Sequence, residues 1–152
     1  MNKSQRNSLL AAIACALAAL AAGGCGASKL GLIRHEVEFE EQVLQADRPV
    51  VVEFYKPGCA GCFFSDPLLD QLFDEYQDRV VFVKFELANV WGQITCAPIW
   101  KKYRVALFPT VVLFVGGREK HRWVIEYNGG DYRKVLDEVA GPPAPGKPAG
   151  SG

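Results

Sequence analysis

The stretch that most constrains this chain is Val50 to Pro67, reading VVVEFYKPGCAGCFFSDP. Val50, Val51, Val52, Phe54 and Tyr55 form a run of β-branched and aromatic residues that predicts a buried strand. The strand stops at Pro57-Gly58, and Cys59-Ala60-Gly61-Cys62 then opens a helix. Two cysteines separated by two residues at a strand-to-helix junction can close a small disulfide ring and open it again. The first thiol there meets free backbone N–H groups and the positive end of the helix dipole, and both favour thiolate. A structural zinc site needs four ligands, usually two such pairs, and this chain has one Cys-x-x-Cys. Cys96, His35 and His121 show no ligand spacing that would complete it. As a purely structural staple, a disulfide closing so short a loop would constrain the unfolded chain weakly. A redox pair is the reading these residues favour, with metal ligation and an inert disulfide as the alternatives.

With 152 residues and 49% apolar content, the chain can bury the core of one domain with ends to spare. Its 17 basic and 17 acidic residues cancel, so no electrostatic argument supports nucleic acid as a partner. Residues 1–24 read as a signal peptide: Lys3 and Arg6 precede an apolar run from Leu9 to Ala22, and small residues follow. That run is short for a permanent membrane span. Ala22-Gly23-Gly24-Cys25 resembles the lipobox of bacterial lipoproteins, which implies lipid attachment at Cys25 and residues 25–31 as a tether. Ordinary cleavage near Ala22 or Ala27 is the competing expectation. Either way the protein is expected to be exported to the periplasmic or cell-surface side, and with lipid on Cys25 it would be membrane-anchored. Cys15 leaves with the signal, so Cys59, Cys62 and Cys96 are the thiols of the mature domain, one pair and one odd cysteine.

The domain is expected over residues 32–140. Glu36 to Ala46 predicts a helix with Phe39, Val43 and Leu44 on one face, ended by Arg48-Pro49. After the cysteines, Leu68, Leu69, Leu72, Phe73 and Tyr76 recur at helical spacing to about Gln77, with Pro67 inside that helix. Val80 to Leu87 predicts a second buried strand, and the alternation implies a parallel βαβ unit. A short helix over Ile99 to Tyr103, a hairpin of Thr110 to Val115 and Arg122 to Tyr127 around Gly116-Gly117, and a helix over Asp131 to Val139 complete an α/β domain. Residues 141–152, GPPAPGKPAGSG, have nothing to bury and are expected to be disordered.

This order of elements with its Cys-x-x-Cys resembles the thioredoxin family over about Leu32 to Ala140. Glu53 stands six residues before Cys59, where the family carries a buried acid. Pro67 matches its helix-kinking proline, and Lys84 a lysine close to the acid. Phe108-Pro109-Thr110 matches the loop whose proline is cis and packs against the disulfide, and Gly129 or Gly130 matches a glycine before the last helix. The resemblance implies a thioredoxin fold, in which helices flank a central mixed sheet with a parallel βαβ half and an antiparallel ββα half. Three departures stand out. Gly58 replaces a tryptophan, Ala60-Gly61 replaces Gly-Pro between the cysteines, and the connection from Asn89 to Trp100 is longer, bringing in Trp91, Cys96 and Trp100.

The resemblance further implies a thiol–disulfide oxidoreductase that needs no cofactor or metal. Cys59 would be the exposed nucleophile, forming a mixed disulfide with a protein substrate, and Cys62 the buried thiol that resolves it. Glu53 would accept the proton of Cys62, because a thiol in apolar surroundings does not ionise unaided, and Lys84 would tune that acid; the competing readings are a strand-end carboxylate facing solvent and a solvated surface lysine. Phe108, Pro109 and Thr110 would present backbone to an extended substrate. Expected partners are proteins bearing thiols or disulfides, a membrane or periplasmic electron donor or acceptor, and the membrane through the anchor. Cys96 reads as a buried small hydrophobe, with a regulatory or resolving thiol as the alternative, and Trp91 and Trp100 read as packing residues. The alternatives in other classes are a non-catalytic binding module and a carrier of copper or an iron–sulfur cluster.

Overall fold

The computed structural model describes residues 28–141; the signal segment, Cys25 and nearly all of the C-terminal tail lie outside the described residues. Five strands form one sheet in the order β1-β3-β2-β4-β5. They are β1 (Gly31–Ile33), β2 (Val50–Tyr55), β3 (Val81–Glu86), β4 (Thr110–Val115) and β5 (Arg118–Val124). The helices are α1 (Glu36–Phe39), continued directly by a π-helical turn (Glu40–Leu44), then α2 (Ala60–Tyr76), α3 (Ala97–Tyr103) and α4 (Gly129–Ala140). β1, β3 and β2 run parallel, whereas β4 pairs antiparallel with β2 and β5 antiparallel with β4. This is the expected mixed sheet with a parallel and an antiparallel half.

β2 is apolar on nearly every residue because helices cover both sides of the sheet. Val50, Val52 and Phe54 face one layer, where Phe39, Phe85, Tyr103 and Phe114 pack as a cluster of aromatic rings with centroids 5.3–6.1 Å from the Phe39 or Tyr103 ring. Val51 faces the other, with Leu69, Leu72 and Tyr76 of α2 and Tyr132 and Leu136 of α4. Strand alternation puts Glu53 on this second face, in the middle of an apolar layer and fully buried. A carboxylate there needs a specific reason, because ionic groups are rarely buried without partners.

Two expectations are corrected. The tether was expected to run to residue 31, but Ser28 Oγ donates to Asp70 Oδ1 (3.1 Å), Leu30 is buried, and Gly31 starts β1 beside β3. Three residues starting with glycine are too few to display strand alternation, so the edge strand was invisible in the sequence. The second hairpin strand was expected over Arg122 to Tyr127 but spans Arg118–Val124. Gly116 and Gly117 adopt φ of +56° and +71°, which makes the turn tight enough for Val115 to pair with Arg118 at once. A bulge between Leu113 and Phe114 then absorbs one residue of β5. A Cβ on Gly117 would also stand 2.5 Å from the Leu44 carbonyl oxygen, so the turn is seated on the end of the π-helical turn.

Candidate active site

The carboxyl end of β2 delivers the chain into a turn at Lys56–Cys59, where the Cys59 N–H donates to the Lys56 carbonyl (3.3 Å) and Gly58 takes φ +71°. That left-handed conformation suits glycine, since a side chain there would be strained. Cys59 is the N-cap of α2, and its Sγ accepts from the Cys62 N–H at 3.2 Å. Cys59 and Cys62 are joined as a disulfide across a Cα separation of 5.3 Å. Cys59 is half-buried, whereas Cys62, a helical turn further in, is 4% exposed.

The Phe108-Pro109 peptide is cis, and this loop lies against the disulfide ring. A Cβ on Gly61 would be 2.9 Å from Pro109 Cδ, 3.0 Å from the Tyr127 hydroxyl and 3.3 Å from the Phe108 carbonyl oxygen. Gly61 is therefore the point of closest approach between the Cys-x-x-Cys turn and the proline loop, and Tyr127 occupies the space a side chain would need. Thr110 Oγ1 donates to the Leu107 carbonyl (2.7 Å), holding the loop's curvature, and the Ile125 N–H donates to the Pro109 carbonyl (3.1 Å).

Beneath the cysteines, Glu53 and Lys84 are register partners on adjacent parallel strands. Lys84 Nζ stands 3.1 Å from Glu53 Oε2 and also pairs with the half-buried Asp66 of α2. It lies 4.6 Å from the centroid of the Tyr55 ring. Ser65 Oγ is 2.6 Å from Glu53 Oε1. The approach of Lys84 to Oε2 is an ion pair without hydrogen-bond geometry, so among the described residues that oxygen has no hydrogen-bond donor. Burial pushes the Glu53 carboxyl above the usual range, and this outweighs the opposing pull of Lys84 and Ser65. Burial also disfavours the Lys84 ammonium, but the Glu53 and Asp66 carboxylates together more than compensate, so its pKa is raised.

A cavity of about 230 Å³ opens beside the disulfide, lined among others by Tyr55, Cys59, Cys62, Phe63, Asp66 and Lys84. It gives the Lys84 end of the buried pair a route to solvent. A larger groove of about 540 Å³ between β5 and α4 touches neither cysteine nor Glu53. Phe63 and Phe64, the residues after Cys62, are 73% and 67% exposed and form an edge-on pair at 5.8 Å.

Every sequence-derived candidate within the described residues thus falls in one place: Cys59, Cys62, Glu53, Lys84, Phe108, Pro109 and Thr110. Cys25 lies outside them. Cys96 is buried in the aromatic layer as the N-cap of α3, packed as a small hydrophobe. Trp91 departs from its expected packing role and is 85% exposed, whereas Trp100 donates through Nε1 to the Val105 carbonyl (2.9 Å). Among the described residues no group of three or more His, Cys, Asp or Glu could hold a metal ion. Sequence reasoning missed Ser65, Asp66 and Tyr127. Ser65 and Asp66 stand three and four residues after Cys62, the helical spacing that shares its face, and this was the available signal.

Comparison with known proteins agrees with this geometry. The thioredoxin family profile matches residues 32–139. Thioredoxin of Rickettsia typhi is 31% identical over 85 residues, covering 56% of this chain and 75% of that protein. The chloroplastic M-type thioredoxin of Brassica napus is 35% identical over 83 residues, covering 54% of this chain but only 43% of the relative's length. Among solved structures, thioredoxin of Malassezia sympodialis superposes with a TM-score of 0.60 at 22% identity, over 75% of this chain and 93% of its own, a likeness of fold. On the sequence profile, and with a cysteine pair capping α2 above a buried acid, the chain belongs to the thioredoxin family.

Proposed function

We propose that this protein is a thiol–disulfide oxidoreductase that exchanges its Cys59–Cys62 pair with protein substrates on the exported side of a membrane. The observation that carries the reading is the asymmetry of the pair: Cys59 is half-buried at a helix N-terminus and Cys62 is nearly sealed behind it. In the reduced form, the Cys59 thiolate, favoured by the helix end, attacks one sulfur of a substrate disulfide. The substrate S–S bond breaks, a Cys59–substrate bond forms, and the departing sulfur leaves as thiolate and takes a proton from water. Cys62 gives its proton to Glu53, attacks Cys59 Sγ and releases the second substrate sulfur, closing the Cys59–Cys62 disulfide. Two electrons pass to the substrate. The reverse sequence oxidises a substrate dithiol.

Glu53 suits the acceptor's role because its carboxyl is raised toward neutrality, where a general base works best. Lys84, shared with Asp66, keeps the carboxylate form within reach. Phe108, Pro109 and Thr110 form the loop along which extended substrate backbone lies, next to the disulfide. The pair's reduction potential sets the net direction: near −270 mV, roughly thioredoxin's value, the protein reduces substrates, and near −120 mV it oxidises them. A membrane or periplasmic donor or acceptor restores the pair after each turnover. Export rests on the apolar run from Leu9 to Ala22, and anchoring rests on lipid at Cys25.

The test is dithiothreitol-driven reduction of a protein disulfide. Wild type turns over, and Cys59→Ser does not. Turnover by Cys59→Ser at the wild-type rate contradicts the assignment.

A further inference from the structure

We propose that Ser65 is a positioning residue of the resolving step, its hydroxyl linking the protonation state of Glu53 to the backbone that carries Cys62. The inference rests on the reading of Glu53 as the proton acceptor for Cys62.

Ser65 is fully buried on α2, and its Oγ lies 2.6 Å from Glu53 Oε1 and 3.0 Å from the carbonyl oxygen of Cys62. A hydroxyl has one hydrogen, so it can serve only one of these two acceptors at a time. While Glu53 is a carboxylate, the hydrogen belongs on Oε1, where the bond is charge-assisted and the stronger of the two. Once Glu53 has taken the Cys62 proton, the acid must itself donate. Oε2 faces the Lys84 ammonium at 3.1 Å, so the proton settles on Oε1 and is donated to Ser65 Oγ. The Ser65 hydrogen is then free to turn to the Cys62 carbonyl. Ser65 and Glu53 Oε1 are satisfied in both states, and a single hydroxyl rotation accompanies the transfer. An alanine could do neither, and the carboxylate would keep only the ion pair.

The groups facing Glu53 come from three elements: Lys84 on β3, Ser65 and Asp66 on α2, and Tyr132 on α4. The Tyr132 hydroxyl donates to the Glu126 carbonyl (3.2 Å), and β4 contributes only Val111 opposite Glu53, so Ser65 is the neutral donor among them. Its bond lowers the Glu53 pKa against burial, together with Lys84.

The experiment follows the Glu53 carboxyl by carbon-13 NMR in the reduced full chain, beside stopped-flow disulfide reduction across pH 6 to 9. Wild type, Ser65→Ala and Ser65→Thr are compared. Ser65→Ala is expected to move the Glu53 titration upward by about one pH unit, the difference between a charge-assisted and a neutral hydrogen bond. The rate profile of the resolving step moves with it. Ser65→Thr, which keeps the hydroxyl, stays at the wild-type position; if its extra methyl prevents folding, the alanine titration decides alone. An unmoved Glu53 titration in Ser65→Ala overturns the inference by itself. A moved titration with an unmoved rate profile overturns it differently, by removing Glu53 as the proton acceptor.

Discussion

Replacing Lys84 by methionine should destabilise the protein in a way that grows with pH. Methionine keeps the buried stem but removes the cation 3.1 Å from Glu53 Oε2. Leaving one partner of a buried pair as an unpaired charge costs about 3–5 kcal/mol. Glu53 has a cheaper escape, because it can protonate. Its folded pKa already lies above the ordinary value, so the folded state holds the proton more tightly than the unfolded chain. Stability from this group is full below about pH 4.3 and is lost as pH rises to the folded pKa. Without Lys84 the folded pKa climbs further, and the loss continues over a wider window. Keeping Glu53 neutral costs about 1.36 kcal/mol for each pH unit above about 4.3, and the wild type already bears part of that cost, so the loss relative to wild type stays below about 4 kcal/mol at pH 7 and below about 1 kcal/mol at pH 5. Asp66, half-buried beside solvent, adds little when it loses the same lysine. Urea denaturation at pH 5 and pH 7 measures both values. Adding Glu53→Gln to Lys84→Met should recover most of the loss at pH 7. A destabilisation equal at both pH values, or undiminished in the double variant, refutes the reasoning.

Two further outcomes are expected. Gly61→Ala should destabilise by about 1–3 kcal/mol, the usual cost of overpacking, and slow disulfide exchange, because its methyl meets Pro109 at 2.9 Å; combining it with Tyr127→Phe should relieve part of the loss, and thermal melts of the single and double variants check this. Cys25→Ala should release the exported protein from the membrane fraction, and mass spectrometry of the mature wild-type N-terminus should find lipid on Cys25; an unmodified N-terminus at another residue contradicts the anchor.

What the sequence disclosed was whatever depended on local pattern. β2 is legible because both faces of a central strand are buried and its residues are apolar almost without interruption. Glu53 is conspicuous for the same reason, a lone acid inside that run. The disulfide's setting follows from proline and glycine ending the strand immediately before a helix. β1 was not legible, since a three-residue edge strand with one buried side chain carries no pattern. The register of β5 depends on turn dihedrals and a bulge that composition does not encode. Ser65 and Tyr127 were missed because their roles come from tertiary approach. A serine inside a helix is ordinary until a carboxylate from a strand 12 residues earlier is found 2.6 Å away. Trp91 reads as a core residue by type, but the loop after β3 leaves it outside.

The most direct test of the account is covalent trapping. Reduced Cys62→Ser and Cys59→Ser variants are mixed with a disulfide-bonded protein substrate, and adducts are counted by non-reducing electrophoresis and mass spectrometry. If Cys59 is the nucleophile and Cys62 the resolving thiol, Cys62→Ser accumulates a mixed disulfide at Cys59 and Cys59→Ser accumulates almost none. Equal trapping by both variants, or adducts mapped to Cys96, would contradict it.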